Sequence, residues 1–595
     1  MNAKDLLEQY ERVVEAPDAI TNLRQFVLDL AIRGKLVAQE PTDEPAGYLL
    51  KRIAQAKIRA VSKPARARAM PEVEAPPFLL PDSWSWTTIA EIGLLSPKNE
   101  ADDNLNVGFV PMPLIAAPYG APNGHEVRKW GEVKKGYTHF AEGDVGLAKI
   151  TPCFENGKST VFRNLPGGLG SGTTELHVVR PLVMNADFVA LYLKSPHFIN
   201  GGIPRMTGTA GQKRVPFEYF AYSPFPLPPH AEQQRIVSKV DELMALCDQL
   251  EKARAVQEEK RDKLTAATLA RLNTPNPETF HNDARFALDN LQPLTTRADQ
   301  IKQLRQTVLS LAVQGKLVSQ DPNDGSAETI LAAKLDAPAG HQRGRKILKR
   351  QSVDAPPGLF PELPKSWSYA RIQDLYDRNI VLDYADGNHG SLYPRASEFG
   401  DTGVTFVSAK DIVDGRVTWA SCAKLNNAWA DKLKKGWAKG GDVLLTHNAT
   451  VGRVGRVDPG VPAFLLGTSV TYYRLNPNAL DADFFFYTLQ SPLWQGQLEA
   501  IMAQTTRNQV SIQKQAFFRI AIPPLPEQRR IVIKLEAVMA LCGQLESSLA
   551  TADETRRGLL QAVLAEALLP VQSEDTDEHG KSRRAMDRAS IKLAS

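Results

Sequence analysis

The chain has 595 residues, a formal net charge of +4 and 43% hydrophobic residues. The length and composition are typical of a soluble chain with several domains. The net charge is too small to indicate a polyanion partner by itself. The four cysteines show no CxxC spacing, which excludes a disulfide framework and a thiolate zinc site. Because the N-terminal segment is charged throughout and no run of about 18 apolar residues occurs, we expect a cytoplasmic protein without a membrane span.

The first predicted element is a helix over residues 21–39, within an N-terminal helical region, 1–56. Its sequence LRQFVLDLAIRGKLV has apolar residues at helical spacing and reaches Gly34, where a C-cap is expected. A linker rich in proline and basic residues follows at 57–81. Such a composition indicates an extended or flexible segment, which could either lie along DNA phosphates or serve as a solvated tether.

Residues 82–228 contain short β-type runs such as ELHVVRP, glycine-rich turns and one short helical segment, ADFVALYLKSP. This pattern predicts a compact α/β domain dominated by strands. A proline run, PFPLPPH, ends the domain and introduces a long helix at 230–273. The rest of a central helical region, 229–335, consists of a Pro/Asn-rich joint at 274–298 and a helix at 299–320.

The second half of the chain repeats the first. LRQTVLSLAVQGKLV repeats the first helix, PKSWSYARI repeats PDSWSWTTI, and EQRRIVIKLEAVMALCGQLE repeats EQQRIVSKVDELMALCDQLE. Self-similarity on this scale indicates a duplication of whole domains. The second copy has its own linker, 336–364, a second α/β domain, 365–523, a long helix in 524–570 and a polar tail, 571–595, that is predicted to be disordered.

Each long helix has apolar residues in alternating steps of four and three, the pattern of a coiled-coil seam. We expect the two copies to pair as an antiparallel coiled coil, which gives an α+β fold with a pseudo-two-fold internal repeat. The alternative is that each helix packs only on its own domain. The seam residues are Ile236, Val240, Leu243, Cys247 and Leu250 in the first copy, and Ile531, Leu535, Val538, Cys542 and Leu545 in the second.

Over residues 20 to 570 the chain resembles the DNA-specificity subunit of type I restriction–modification enzymes. The resemblance is carried by the twice-written proline-plus-EQQRIV junction, the RQFVLDLAIRGKLV pair and the SW dipeptide that opens each variable block. It implies two target-recognition domains, each reading half of a split site in double-stranded DNA, and helices that set the unread spacer. It further implies two bound methyltransferase subunits, which use S-adenosylmethionine, and restriction/translocase subunits in the full complex. No cofactor is expected on this chain itself.

Sequence motifs for catalysis are incomplete. ENGKST lacks the leading glycine of a phosphate loop, because Pro152 stands there. APPF resembles the tetrapeptide of amino-methylating DNA enzymes, but it begins with Ala75, which cannot accept a hydrogen bond from the adenine amino group. The histidines show no metal-ligand spacing, so we expect neither a catalytic nor a metal site.

Each predicted domain has two loops rich in side chains that bind phosphates or base edges. In both domains a Gly-Asp-Val sequence introduces the first loop, and an equivalent valine, Val215 or Val510, follows the second. The candidate DNA-binding residues are Lys149, Thr151, Asn156, Lys158, Ser159, Gln212, Lys213 and Arg214 in the first domain, and His447, Asn448, Thr450, Arg453, Arg456, Arg507, Asn508 and Gln509 in the second.

Two other functions remain compatible with the sequence. The chain could be the recognition part of a fused methyltransferase–nuclease, although the nucleotide loop and catalytic tetrapeptide are then missing. It could also be a DNA-binding scaffold or repressor that dimerises through the helix pair. That function leaves unexplained why the two domains differ so much in their loops.

Overall fold

The computed structural model describes residues 16, 18–60, 76–209, 211–274, 276, 278–333, 335–336, 359–503 and 508–568. The chain forms two compact units, one of residues 1–256 and 553–595 and the other of residues 257–552. Each unit therefore contains the beginning of one long helix and the end of the other. The mixed α and β elements, the duplicated plan and the two long helices agree with the fold class predicted from the sequence.

The described residues of the first unit form seven α-helices and the start of the long helix α8, His230–Asn273. The seven helices are α1 Ala19–Ile32, α2 Ala46–Ala60, α3 Ile89–Ile92, α4 Trp130–Val133, α5 Ala186–Lys194, α6 Pro196–Gly202 and α7 Phe217–Tyr222. Its strands are β1 Ser85–Thr88, β2 Gly93–Leu95, β3 Asn106–Val110, β4 Glu126–Lys129, β5 Thr138–Ala141, β6 Val145–Ala148, β7 Ser159–Val161, β8 Leu169–Gly172, β9 Leu176–Pro181 and β10 Pro224–Leu227.

These strands form three sheets. One sheet has the order β2-β9-β6-β7 and is antiparallel, and a second has the order β4-β3-β8-β5, in which β3 and β8 are parallel. The pair β1-β10 brings together the first and last strands of the α/β domain. The domain therefore closes on itself directly before α8 begins.

The second unit repeats this plan with larger sheets. After the end of α8, its helices are α9 Phe280–Asp289, α10 Leu291–Leu294, α11 Ala298–Val313, α12 Ala327–Ala332, α13 Ile372–Asp377, α14 Asn427–Ala430, α15 Ala482–Gln490, α16 Pro492–Met502, α17 Ile512–Gln515 and the long helix α18 Leu525–Leu568. Its strands are β11 Ser368–Arg371, β12 Val381–Asp386, β13 Phe399–Gly400, β14 Val404–Val407, β15 Ile412–Val413, β16 Arg416–Val417, β17 Ala423–Leu425, β18 Trp437–Ala438, β19 Val443–Thr446, β20 Val454–Arg456, β21 Phe464–Leu466, β22 Val470–Leu475 and β23 Arg519–Ile522.

The sheets of the second unit have the orders β12-β22-β19-β20-β16-β15 and β13-β17-β14-β21-β18. As in the first unit, a two-stranded pair, β11-β23, joins the ends of the recognition domain before the long helix. The strands β12, β22, β19 and β20 correspond in order to β2, β9, β6 and β7. The additional strands therefore enlarge a common framework without replacing it.

The repeated proline-plus-EQQRIV junction is a buried anchor. Glu232, which is fully buried, accepts hydrogen bonds from the Trp84 indole N–H at 2.9 Å and from the Gln39 side chain at 2.6 Å. In the second unit Glu527 accepts from the Trp367 indole at 3.0 Å. Because a buried carboxylate is costly unless it is hydrogen-bonded, these contacts explain why the SW dipeptide and the glutamate recur together.

Two glycines end the short helices of the repeat. Gly34 follows α1 with φ of +68° and Gly315 follows α11 with φ of +69°. A Cβ atom on Gly34 would lie 2.4 Å from the Pro81 side chain, and one on Gly315 would lie 2.5 Å from Pro364. The expected glycine C-caps are present, and the helices are shorter than predicted because the chain turns there towards the SW segment.

The seam prediction needs a correction. Ile236 and Val240 lie in a core cluster with Val27 and Leu28 of α1 and with Phe188 of α5. The first turns of α8 are therefore covered by the helices of their own unit, because the strand β10 ends directly before α8 and sets it against them. Leu243 is partly buried against the same cluster, Cys247 is buried and Leu250 is 37% exposed.

The second long helix behaves in the same way. Ile531 and Leu535 are fully buried in a cluster with Val308 and Leu309 of α11, and Val538 packs against it. Cys542 is buried, whereas Leu545 is partly exposed. The heptad spacing thus predicted the apolar face of each helix correctly. The predicted partner of the buried positions, the other long helix, was wrong, because these residues pack against helices of their own unit.

Other boundaries also differ from the predictions. The joint at 274–298 contains α9 and α10, and residues 57–60 of the first predicted linker belong to α2. Apolar residues of α9 pack against the end of α8 and against α11, which explains why a Pro/Asn-rich segment is helical. The predicted tail at 571–595 and most of both linkers lie outside the described residues.

Candidate nucleic-acid interface

In the first unit the two predicted DNA-binding loops meet as a short backbone ladder. The Val215 N–H donates to the Lys149 carbonyl at 2.8 Å, and the Thr151 N–H donates to the Lys213 carbonyl at 2.9 Å. The Lys213 N–H in turn donates to the Thr151 hydroxyl at 3.1 Å. We call this contact between the end of β6 and the segment before Val215 the first loop junction.

The second unit builds the same contact. The Val510 N–H donates to the His447 carbonyl at 2.9 Å, and the Ala449 N–H donates to the Asn508 carbonyl at 3.0 Å. This second loop junction lies at the end of β19, as the first lies at the end of β6. The correspondence inferred from the two valines therefore extends to individual hydrogen bonds.

The Gly-Asp-Val sequence before each junction has a structural role. The buried Asp144 carboxylate accepts from the Ala141 N–H at 2.7 Å and from the Arg180 guanidinium at 2.7 and 2.9 Å. Asp442 and Arg474 form the equivalent pair at 2.9 and 2.8 Å. Burial raises the pKa of both carboxyl groups, and the arginine beside each one opposes this shift. These pairs hold the strands from which the loops extend.

Each junction also rests on a buried histidine. The His177 ring contacts the Val215 carbonyl through Nε2 at 3.2 Å, and burial lowers its pKa to about 4. In the second unit His447 is 1% exposed and its Nδ1 lies 2.9 Å from the Thr471 hydroxyl. Burial lowers the pKa of His447 as well, so both rings are neutral near pH 7.

The structure corrects several predicted DNA-binding residues. His447 and Ser159 are buried and thus support the loops. Arg456 pairs with Asp483 at 2.7 Å and with Glu536 on α18 at 3.4 Å, so carboxylates of its own unit already neutralise its charge. The Lys158 ammonium donates to the Met112 carbonyl at 3.3 Å.

Seven predicted residues have exposed side chains beside the two junctions. Four other predicted residues, Lys149, Thr151, Arg214 and Asn448, are only partly exposed. Arg507 lies outside the described residues. The exposed residues are Asn156, Gln212 and Lys213 in the first unit, and Thr450, Arg453, Asn508 and Gln509 in the second. Together they offer amide, guanidinium and ammonium groups, which are suited to base edges and phosphates.

Glu175 was not identified from the sequence. Its carboxylate accepts two hydrogen bonds from the Arg214 guanidinium, at 2.9 and 2.7 Å. Beside this arginine the pKa of Glu175 is lowered, so the carboxylate stays ionised. No local pattern could have indicated the pair, because its members lie in different loops.

The comparison with known proteins decides the family. The type I restriction enzyme EcoEI specificity subunit of Escherichia coli is 36% identical, and the match covers 92% of this chain and 94% of that protein. The chain belongs to the DNA-specificity subunits of type I restriction–modification enzymes. The EcoAI specificity subunit of Escherichia coli is 34% identical with the same coverage.

Two further findings agree with this membership. A family model described as the type I restriction modification DNA specificity domain matches residues 397–551. One solved structure carries the description "structural basis underlying complex assembly and conformational transition of the type I R-M system". It aligns with this chain with a TM-score of 0.51 at 20% identity. That alignment covers 83% of this specificity subunit and 99% of the solved chain, and it shows a shared fold.

Two further properties of the described residues concern membranes and metal ions. In that part of the chain no helix is both long and apolar enough to cross a bilayer. There is also no cluster of three or more histidine, cysteine, aspartate or glutamate side chains that could hold a metal ion, again among the placed residues only.

Proposed function

We propose that each loop junction reads one half of an asymmetric, bipartite site in double-stranded DNA. The observation that carries this proposal is the pair of equivalent backbone ladders with unlike exposed side chains. Lys213 in the first ladder corresponds to Asn508 in the second, so the same scaffold presents different groups. Readers of this kind recognise different half-sites, because each base edge has its own pattern of donors and acceptors.

The long helices keep the two readers at a set spacing and carry the partner subunits. Each has 44 residues, or about 65 Å at 1.5 Å per residue, which exceeds one DNA turn of about 35 Å. Leu246 and Leu541 occupy equivalent positions on the two helices and are 46% and 52% exposed. Two equivalent apolar positions favour two copies of the same partner. That partner is a methyltransferase subunit that uses S-adenosylmethionine, and restriction/translocase subunits join the full complex.

The chain itself positions the DNA and performs no catalysis. Purified alone, it should transfer no methyl group from S-adenosylmethionine to DNA, whereas the complex with the methyltransferase should methylate adenine. Methyl incorporation by the isolated chain would support the fused-enzyme alternative. The assay needs a control with the methyltransferase alone, which should also be inactive on the split site.

Mapping of methylated adenines tests the division into half-sites. The chain is co-expressed with its methyltransferase in cells that lack other adenine methylation, and the genome is sequenced for modified bases. We expect one asymmetric split sequence with a constant gap. A continuous or palindromic site would contradict the proposal, since two unlike readers at a set spacing cannot produce it.

A further inference from the structure

Arg214 and Gln509 occupy the same position in the two loop junctions. Arg214 forms an antiparallel bridge with Ile150, and Gln509 forms one with Asn448. Each residue directly precedes the valine whose N–H closes the ladder. Since register determines the face on which a strand side chain lies, the two side chains start from the same face of equivalent ladders.

The residues opposite them also correspond. The Lys149 N–H donates to the Glu175 carbonyl at 3.0 Å, and the His447 N–H donates to the Ser469 carbonyl at 2.9 Å. The first unit therefore has glutamate where the second has serine. This difference accompanies the exchange of arginine for glutamine.

The Arg214 guanidinium is held in one orientation. Its Nε and Nη2 donate to the two Glu175 carboxylate oxygens at 2.9 and 2.7 Å, and its Nη1 donates to the Gln212 carbonyl at 3.2 Å. A guanidinium has five N–H donors, so one donor remains on each terminal nitrogen. The Arg214 side chain is 42% exposed, so part of its surface is open to a ligand.

Gln509 has an exposed side chain whose amide provides both a donor and an acceptor. At the position equivalent to Glu175 the second unit has Ser469, so a hydroxyl replaces the carboxylate there. An uncharged donor–acceptor pair matches N7 and the amino group of adenine, whereas two parallel donors match O6 and N7 of guanine.

We propose that Arg214 reads a guanine in one half-site and that Gln509 reads an adenine at the equivalent place in the other half-site. This inference rests on the proposed function, because it assigns bases to two residues of the junctions described there. Glu175 is a positioning residue, since it orients the guanidinium and does not itself contact the base.

The pairing with Glu175 favours a base over a phosphate as the ligand of Arg214. Arginine and glutamate together carry no net charge, so their attraction for the DNA backbone is weak, and the carboxylate repels a phosphate that approaches closely. A carboxylate does, however, set the direction of the remaining donors, which is what a base edge requires. Lys213 is exposed beside this pair and is suited to the phosphate contact.

Selection from a DNA library tests the assignment. The complex of full-length chain and methyltransferase binds duplexes in which both half-sites are randomised, and the bound DNA is sequenced. We compare the wild type with the double variant Arg214→Gln/Glu175→Ser, which copies the second junction into the first. At one position of one half-site we expect the preference to change from guanine to adenine by tenfold or more, with the other half-site and the gap unchanged.

Two further variants keep the test decisive. Arg214→Lys retains the charge but loses the paired donors, so it should reduce guanine discrimination at the same position even if the double variant fails to assemble. Lys213→Ala is the matched control and should weaken binding to all sequences equally. An unchanged base preference in both Arg214 variants, or a uniform loss of affinity in Arg214→Lys, would overturn the inference. A wild type that selects no split sequence would instead refute the proposed function.

Discussion

At the residue scale, the loop junctions depend on buried polar groups that never need to contact DNA. Asp144 with Arg180 and Asp442 with Arg474 tie neighbouring strands together. His177 contacts the Val215 carbonyl of the first ladder, and His447 is itself part of the second ladder with its ring beside Thr471, so the protonation state of each ring matters for the adjacent loops. A residue type that suggests DNA binding in the sequence, such as His447, can thus serve the scaffold.

Acidification should loosen the first junction through His177. Its folded pKa of about 4 lies below the ordinary value, about 6.5 for an unfolded chain. Between these values the unfolded chain binds a proton that the folded chain does not, so stability falls as the pH falls through this window. A difference of this size corresponds to about 3 kcal/mol at the acidic end.

Hydrogen exchange of the β9 amides at pH 7 and at pH 4.5 measures this effect. His177→Gln, which can still donate to the Val215 carbonyl, should lose protection less steeply on acidification than the wild type. Equal slopes for the two proteins would show that His177 does not titrate in this window.

At the element scale, helix ends and the contacts after them determine where each recognition domain begins. The chain leaves α1 and α11 through glycines in the left-handed conformation and packs a proline and a tryptophan against them. The tryptophan then binds the buried glutamate of the long helix. Three motifs that are far apart in the sequence therefore form one structural unit, which explains their joint repetition.

Substitution of the capping glycine should be costly. Gly34→Ala places a Cβ in the left-handed region, at about 1–2 kcal/mol, and this Cβ would approach Pro81 to 2.4 Å. We expect the free energy of unfolding of the first unit to fall by more than the cost of the left-handed conformation, because the added Cβ also clashes with Pro81. Chemical denaturation measures this loss.

Gly558→Ala is the control for this substitution. Gly558 lies inside α18, and among the described residues no atom outside its own stretch of helix lies within 4 Å of the added Cβ. Alanine should therefore stabilise the helix by about 0.5–1 kcal/mol. A loss of stability for Gly558→Ala, or no loss for Gly34→Ala, would contradict the assignment of strain to the helix end.

At the scale of the whole molecule, duplication accounts for both the likeness and the difference of the two units. The framework of short helix, SW segment, recognition domain and long helix is shared, down to the hydrogen bonds at Glu232 and Glu527. The recognition domains have diverged in sheet size and in the side chains at the junctions. Under the proposed function, the shared framework would hold two copies of one partner, and the diverged junctions would read two unlike sequences.

Charged substitutions on the long helices test partner binding. We expect Leu246→Glu to remove one methyltransferase from the complex, Leu541→Glu to remove the other, and the double variant to remove both, because an exposed apolar contact becomes a buried charge. Native mass spectrometry of co-expressed complexes gives the number of bound subunits. Val127→Glu, at a 60% exposed position on β4, should retain both. Retention of both subunits by the double variant would place the docking surface elsewhere.

The sequence by itself determined the duplicated plan, the apolar faces of the helices, the helix-ending glycines and the loops from which the junctions are built. These properties follow from local spacing and from self-similarity, which need no knowledge of distant contacts. Only the tertiary structure decided that Ile236 and Ile531 pack within their own units, that His447 and Ser159 are buried, and that Glu175 orients Arg214. Each of these depends on chain segments brought together by folding, and a side chain's partner there is set by packing rather than by its neighbours in sequence.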